Sequence, residues 1–239
     1  MFKPLPLYIG LRYTGTKRPN HFISFISLIS TLGIMLGVVA LITVLSVMNG
    51  FQKEVRERIL GMASHATISA IDGELTDWEE AMRLSREHPN VVGQAPFVEA
   101  QTMLINGQRV SGALVRGILP EYETKVSEVA GKMLRGDLEQ LTEGSFHIVL
   151  GQELALTLGV GVGDKVTVVT PQVRMTPVGA MPRLKRFTVS GIFKVGMGEY
   201  DRGVALVALQ DAAKLLRLGD SVTGVRLKLD DLYLAPHVS

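Results

Sequence analysis

The stretch Leu28–Met48, LISTLGIMLGVVALITVLSVM, decides the fold class, because it is almost entirely apolar and lies within a segment, Phe22 to Gln52, that carries no formal charge. About 20 apolar residues in a helix cross the hydrocarbon core of a bilayer. A cleaved signal peptide fits less well, since its apolar region spans only about 7 to 15 residues and a small-residue cleavage site follows it. A buried helix of a soluble protein is rarely this long. The stretch predicts an uncleaved transmembrane helix, placed at residues 22–50.

Charge is distributed unevenly around this helix. Before it stand four cations and no acidic residue, Lys3, Arg12, Lys17 and Arg18, whereas all 23 acidic residues lie beyond residue 52. Three cations follow the helix closely, Lys53, Arg56 and Arg58, so the Lys and Arg bias is slight and favours a cytoplasmic N-terminus for residues 1–21. A nucleic-acid-binding protein would instead spread basic charge over its folded part. Nucleic acid is therefore not an expected partner.

Two patterns in the helix suggest more than an anchor. Small residues recur at spacings of three and four and would lie on one face, where another helix can approach closely: Ser30, Gly33, Gly37 and Ala40. Such spacings are also frequent in membrane helices without any partner. Phe51, Val55 and Ile59 recur every four residues up to Gly61, which predicts that the helix continues beyond the membrane as a stalk with an apolar stripe.

The remainder, residues 51–239, predicts an α+β domain, because strand and helix patterns alternate without internal repeats. Thr76 and Glu79 match a capping box that opens a helix, and Asn106-Gly107 predicts a hairpin turn. Residues 121–141 are weakly periodic and predict a helix. The predicted strands are HATISAI, TMLI, QRVSGALV, HIVL, KVTVV, RFTVSGIF, GVALVAL and TGVRLKL, and the further helices are QELALTL and QDAAKLLRL.

Catalytic and metal-binding patterns are missing from the sequence. There is no cysteine, and the five histidines are scattered without paired ligand spacing. The glycines of LGVGVGD lack the lysine and Ser/Thr of a phosphate loop and precede a strand rather than a helix. No G-x-S-x-G occurs. We therefore expect no catalytic residue, no metal site and no cofactor, although a triad assembled from distant residues is invisible to such a search.

The connection between KVTVV and FTVSGIF is long and basic, with apolar residues at its tip. It is predicted to be a loop over residues 171–186. It contains RMTPVGAMPRLKRF, residues 174 to 187. Pro177 and Pro182 each fix φ, which favours an extended, pre-shaped arm over a flexible tail. Loops of this length are usually functional or disordered. A merely solvated basic loop is the alternative.

Four stretches resemble the transmembrane subunit of the bacterial lipoprotein-releasing system, the LolC/LolE type, within the MacB-like ABC transporters. They are residues 9–60, IVLGQELALTLGVGVGDKVTVVTP, TPVGAMPRLKRFTVSGIF and VTGVRLKLDD, and the resemblance covers essentially the whole chain. It implies one transmembrane helix and stalk, followed by a mixed α/β MacB-like periplasmic domain. In this family three more membrane helices follow, so we expect the sequence to be a fragment.

The resemblance implies a non-catalytic subunit of the bacterial inner membrane. Its expected partners are an ABC ATPase subunit of the LolD type, a second membrane subunit (LolE type or a second copy), triacylated lipoprotein cargo, and a periplasmic carrier of the LolA type. A protruding hairpin, the hook, recruits the carrier in LolC-type subunits. It matches Met175, Thr176, Pro177, Val178, Gly179, Ala180, Met181 and Pro182, and a basic pad would comprise Arg183, Lys185 and Arg186.

The outer end of the membrane helix is the expected cargo site, because the acyl chains of a triacylated lipoprotein lie in the outer leaflet. The residues concerned are Val47, Met48 and Phe51, which would otherwise pack against other helices. The hook favours a LolC-type or a merged single subunit over a LolE type. Two other functions remain open: a MacB-type exporter of peptides or small molecules, and a membrane-tethered periplasmic scaffold without transport activity.

Overall fold

The computed structural model describes residues 5–14, 21–62, 66–71, 73–176 and 179–230. The chain divides into two compact units, Met1–Val55 and Arg56–Ser239. The first unit contains helix α1 (Leu5–Thr14), which the sequence did not predict, and most of helix α2 (His21–Met62).

Helix α2 is uninterrupted, which confirms the predicted continuation of the membrane helix into a stalk. Its segment Phe25–Gln52 contains an 18-residue window with a mean hydropathy of 2.5 and is long enough to cross a membrane. All side chains of this segment are exposed. The hydroxyls of Thr31 and Thr43 donate to the carbonyls of Ser27 and Val39 at 2.7 and 2.8 Å, so these polar groups are satisfied within the helix.

The second unit is the predicted α+β domain. Its strands are β1 (Ala66–Ile68), β2 (Val91–Asn106), β3 (Arg109–Ile118), β4 (Met133–Arg135), β5 (His147–Gly151), β6 (Lys165–Thr176), β7 (Gly179–Phe193), β8 (Val204–Ala208) and β9 (Gly224–Leu229). Its helices are α3 (Trp78–Arg86), α4 (Pro120–Val126), α5 (Gln152–Leu158), α6 (Gly198–Gly203) and α7 (Leu209–Leu216).

Strand pairing closes six of these strands into a ring, in the order β2-β3-β8-β5-β7-β6 and back to β2. The pairs β3–β8 and β5–β7 are parallel, and the other four pairs are antiparallel. Strand β9 pairs with β2 and carries β1 on its other edge, while β4 pairs with the end of β7. Closing the ring leaves few unpaired strand edges.

Alternation along the strands builds two cores, because successive side chains point to opposite faces. The inner faces of the ring pack with helices α5 and α7, through residues such as Leu104, Val168, Phe187, Leu158 and Leu215. The outer faces of β3, β5 and β8 form a second core, which includes Ile118, Val149 and Leu206 and is covered by Val129 and Leu138. Farther from this core, Met103 of β2, Val110 of β3 and Leu184 of β7 are exposed on the outer face.

The predicted capping box is wrong. Helix α3 begins after Asp77, and no side chain caps it. The Thr76 hydroxyl lies 3.2 Å from the Ser221 hydroxyl, and the Trp78 indole N–H donates to the Asp220 carbonyl at 3.1 Å. Tertiary hydrogen bonds to the segment before β9 have replaced the local cap.

The predicted helix over residues 121–141 is only partly right. Helix α4 ends at Val126, and two short 3-10 helices with strand β4 between them follow, Val129–Lys132 and Leu138–Gln140. Gly136 has a φ of +71°, and a Cβ there would meet the Ser190 carbonyl oxygen at 2.0 Å. A close approach of two backbones in a left-handed conformation requires glycine and excludes a continuous helix.

The predicted β2–β3 hairpin is confirmed with a shift of one residue in its turn. Asn106 pairs with Arg109, so the two turn residues are Gly107 and Gln108. Gly107 has a φ of +60°, which suits the first position of a two-residue hairpin loop.

Candidate docking arm

Strands β6 and β7 form a two-stranded arm beyond the ring. They pair antiparallel from Lys165 opposite Thr188 to Thr176 opposite Gly179, with a shift in register between Thr170 and Val173. The extended arm was predicted, but describing residues 171–186 as a loop was wrong. A long excursion must pair its backbone groups, and an antiparallel ladder pairs them locally.

The hook residues lie at the far end of this ladder. Met175 and Thr176 end β6, whereas Gly179, Ala180, Met181 and Pro182 begin β7. Met175 pairs with Ala180. Pro177 and Val178 lie outside the described residues. The backbone therefore brings the described hook residues together at one end of the arm.

The basic pad is divided between the two faces of the arm. Lys185 pairs with Val168 and Arg183 with Thr170, and both partners are buried, so these two cations lie on the inner face. Arg186 pairs with Thr167 and lies on the outer face, where it is exposed. Alternation along β7 places adjacent residues on opposite faces, so one flat pad cannot contain Lys185 and Arg186.

The two inner cations have different surroundings. The Lys185 ammonium lies 3.7 Å from the centroid of the Phe146 ring, a cation–π contact. Arg183 Nε and Nη1 and the Thr170 hydroxyl are buried, and no described residue hydrogen-bonds them. Lys185 is thus partly engaged at the root of the arm, whereas Arg183 keeps donors available.

Phe146 supports the root of the arm from a strained backbone position. It has a φ of +49°, which is unusual for a bulky residue. The N–H groups of Gly144 and Phe146 donate to the buried carboxylate of Asp211 at 2.8 and 2.9 Å. The Phe146 ring also packs edge-on against Phe187 of β7, with centroids 5.7 Å apart. Asp211 therefore holds the loop on which the arm rests.

A pair of buried charges joins β9 to α4, away from the arm. Arg226 donates to Glu123, and both side chains are at most 4% exposed. Burial lowers the pKa of Arg226 and the nearby Arg116 adds to this effect, while Glu123 opposes it. Burial alone would lower the pKa of Arg116. The attraction of Glu99, whose Oε2 lies 2.6 Å from Arg116 Nη2, outweighs burial, so the pKa of Arg116 is raised.

The predicted cargo residues lie together on helix α2. Val47, Met48 and Phe51 are 67%, 51% and 66% exposed, and Val47 and Phe51 are one turn apart. On the small-residue face, a Cβ added at Gly33 or Gly37 would meet nothing within 4 Å. Both faces are accessible in the described helix.

The described residues contain no group of three or more His, Asp or Glu side chains that could hold a metal ion. The His147 ring nitrogen lies 3.0 Å from the Gln140 carbonyl, and the His88 ring nitrogen accepts from the Asn90 N–H. These two histidines are accounted for by local contacts.

A sequence profile of the MacB-like periplasmic core domain matches residues 27–235. The chain belongs to the MacB-like periplasmic core domain family. The described domain agrees with this family in having one apolar helix followed by a mixed α/β domain.

Curated relatives of this MacB-like chain include subunits of the lipoprotein-releasing system. The transmembrane protein LolC of Xylella fastidiosa (strain Temecula1 / ATCC 700964) is 54% identical over 97% of this chain and 56% of the relative. LolC of Neisseria meningitidis serogroup B (strain ATCC BAA-335 / MC58) is 49% identical over the same shares. LolE of Haemophilus influenzae (strain ATCC 51907 / DSM 11121 / KW20 / Rd) is 33% identical over 96% of this chain and 56% of the relative. The chain thus spans about half the length of the curated relatives it matches.

Sequence reasoning missed three features of this MacB-like domain. The division of the basic pad between the two faces of the arm was predictable from the sequence, because alternation along RLKRF places neighbouring residues on opposite faces. The support of Phe146 by Asp211 and the Arg226–Glu123 pair join residues 65 and 103 positions apart. No local pattern signals such pairs.

Proposed function

We propose that the chain is the helix, stalk and periplasmic domain of a LolC-type membrane subunit in a lipoprotein-releasing ABC transporter. The observation that carries the proposal is the 54% identity to a protein named LolC over 97% of this chain. The paired arm supports it, because its ladder brings the described hook residues together at one end, where a partner can contact them.

In this proposal the N-terminus is cytoplasmic, α2 crosses the inner membrane, and the second unit is periplasmic. The subunit has no catalytic role, and ATP hydrolysis belongs to a separate subunit of the LolD type. A second membrane subunit, of the LolE type or a second copy, packs on the Ser30–Ala40 face. Triacylated lipoprotein meets Val47, Met48 and Phe51.

The arm delivers cargo by recruiting a soluble carrier of the LolA type. The tip, residues 175 to 182, contacts the carrier directly. Its pairing as a ladder limits the conformational entropy that binding would otherwise cost. Arg186, on the outer face, steers approach and should act mainly on the association rate. Lys185, which contacts Phe146, contributes less.

The test is binding of a purified LolA-type carrier to the full chain in detergent micelles. The tip variant Pro177→Gly/Met181→Ser should abolish binding. Its matched control, Pro89→Gly/Leu134→Ser, changes the same residue class at exposed positions outside the arm and should bind like the original chain. Unchanged capture by the tip variant would contradict the proposal. Capture of an outer-membrane channel or a cell-wall hydrolase activator instead would favour an exporter or a scaffold.

A further inference from the structure

Phe146 keeps a left-handed backbone conformation, with a φ of +49°, that bulky residues rarely adopt. Such strain persists only where the surrounding structure imposes it. Asp211 of α7 imposes it here, because its Oδ2 accepts the Phe146 N–H and its Oδ1 accepts the Gly144 N–H. An ion pair of 2.8 Å between Glu143 and Lys214 ties the same loop to the same helix. Strain that is supported in this way is typical of functional positions.

Both the backbone and the ring of Phe146 contact strand β7. The Phe146 carbonyl accepts the Thr188 N–H at 2.9 Å. The ring packs edge-on against the fully buried Phe187 and also contacts the Lys185 ammonium. Lys185 and Phe187 are two positions apart in a strand, so their side chains share the inner face. Phe146 therefore fixes the segment of β7 from which the arm extends.

The direction of the arm depends on its root. Strand β2 pairs with β6 from Thr167 to Val169, and farther along β6 the described residues provide no partner strand except β7. A two-stranded ladder on its own is strongly twisted and only marginally stable. The register also shifts between Thr170 and Val173, and such an irregularity bends a strand. Contacts at the root therefore determine how the arm leaves the ring.

We infer that Asp211 and Phe146 form a clamp that positions the arm for its carrier, an inference that rests on the proposed function. Asp211 holds Phe146 in its strained conformation, and the Phe146 ring holds β7. Both are positioning residues, since they act on the arm and not on the carrier. An arm that is already oriented loses less conformational freedom when a carrier binds, so the clamp strengthens binding from a distance. Without Asp211, Phe146 relaxes to an ordinary φ and its ring leaves β7.

Asp201 provides a matched control for Asp211. It is buried as well, and it accepts the N–H groups of Val195 and Gly196 at 2.8 and 2.9 Å. Its loop follows the end of β7 that lies away from the arm. Asp211→Asn and Asp201→Asn therefore remove the same kind of contact, and only the first should affect the arm. Phe146→Leu removes the ring, whereas its control Phe146→Tyr keeps it.

The first measurement is the distribution of distances between the arm and the rest of the domain, for the full chain in micelles. Spin labels are attached at Arg174→Cys on the arm and at Val92→Cys, an exposed position at the start of β2, because the chain has no cysteine of its own. Asp211→Asn and Phe146→Leu should broaden the distribution. Asp201→Asn and Phe146→Tyr should leave it unchanged.

The second measurement is the Kd of the unlabelled chain for the purified LolA-type carrier. Asp211→Asn and Phe146→Leu should each weaken binding by about fivefold or more, and the two controls should stay within about twofold. The double variant Asp211→Asn/Phe146→Leu should bind no more weakly than the weaker of the two single variants, because both changes break the same clamp.

Equal effects of Asp211→Asn and Asp201→Asn on the distances and on the Kd would indicate a general loss of stability and overturn the inference. If Asp211→Asn does not fold, the comparison of Phe146→Leu with Phe146→Tyr decides. Unchanged distances in Phe146→Leu, or broadened distances with an unchanged Kd, would also overturn it. If the original chain does not bind the carrier, the proposed function fails and the positioning role fails with it, whereas the distances still show whether the clamp holds the arm.

Discussion

At the scale of single residues, the stability of the domain depends on the buried ion pair of Arg226 and Glu123. Arg226 also stacks 5.7 Å from the centroid of the Phe97 ring, and its Nε has no hydrogen-bond partner among the described residues. Two buried charges are tolerated because each neutralises the other. Removing one of them leaves the other desolvated and unpaired.

Glu123→Gln should therefore lower the free energy of unfolding by about 3 to 5 kcal/mol. Replacing both partners, Glu123→Leu/Arg226→Leu, should cost less, because no charge stays buried. Urea unfolding followed by the fluorescence of Trp78, the only tryptophan, measures both. Glu80→Gln breaks the exposed pair with Arg83 and should leave the midpoint unchanged. A loss of stability in the double variant equal to that in Glu123→Gln would show that the charge is not the cause.

At the scale of elements, the arm is defined by its register. Arg174 pairs with Met181, one position before Met175 and Ala180. A slip of one residue would move every side chain of one strand to the other face. The positions of the hook residues therefore depend on this register.

Engineered cysteines can test the register, because the chain contains none of its own. Arg174→Cys/Met181→Cys should form a disulfide in mild oxidant, since directly paired antiparallel positions have Cα atoms about 4.5 to 5.5 Å apart. Arg174→Cys/Ala180→Cys should remain reduced, because the two side chains point to opposite faces. Thiol titration distinguishes the two. Equal oxidation of both variants would indicate a slipping or unpaired arm.

Elements whose causes are local were predictable from the sequence. Leu28–Met48 predicted the long helix, Asn106-Gly107 a hairpin, and QELALTL a short helix, which in the structure ends at Gly159 in a left-handed conformation. Local patterns failed where residues distant in the sequence decided the outcome. Thr76 bonds with Ser221 instead of capping α3, and Gly136 fits against Ser190 instead of continuing a helix.

At the scale of the whole molecule, the closed ring was not predictable from the sequence. It depends on the parallel pairs β3–β8 and β5–β7, whose strands are separated by long segments of chain. Nothing in VALVA or HIVLG specifies a partner strand. The candidate site depends on this closure, because β6, one of the two strands of the arm, pairs with β2 where the ring closes.

The membrane helix gives a prediction that requires the assembled transporter. A photo-crosslinker at Met48 should capture lipoprotein in membranes without ATP turnover, because the acyl chains of the cargo remain in the outer leaflet. Ser46 lies at a similar depth on nearly the opposite face of α2 and should capture less. Capture of neighbouring helices alone from Met48 would remove the cargo assignment.

The β1–β9 pair determines how the domain responds to force. Ala66 lies opposite Leu227, so the chain enters β1 and leaves β9 at the same end of an antiparallel ladder. Pulling the end of β1 and the end of β9 away from each other at that side would load the hydrogen bonds one at a time, as in a zipper. A force that moves both strand ends in the same direction would not load these hydrogen bonds. Moving both strand ends in parallel therefore displaces the domain without unfolding it, whereas separating them detaches β1 from β9.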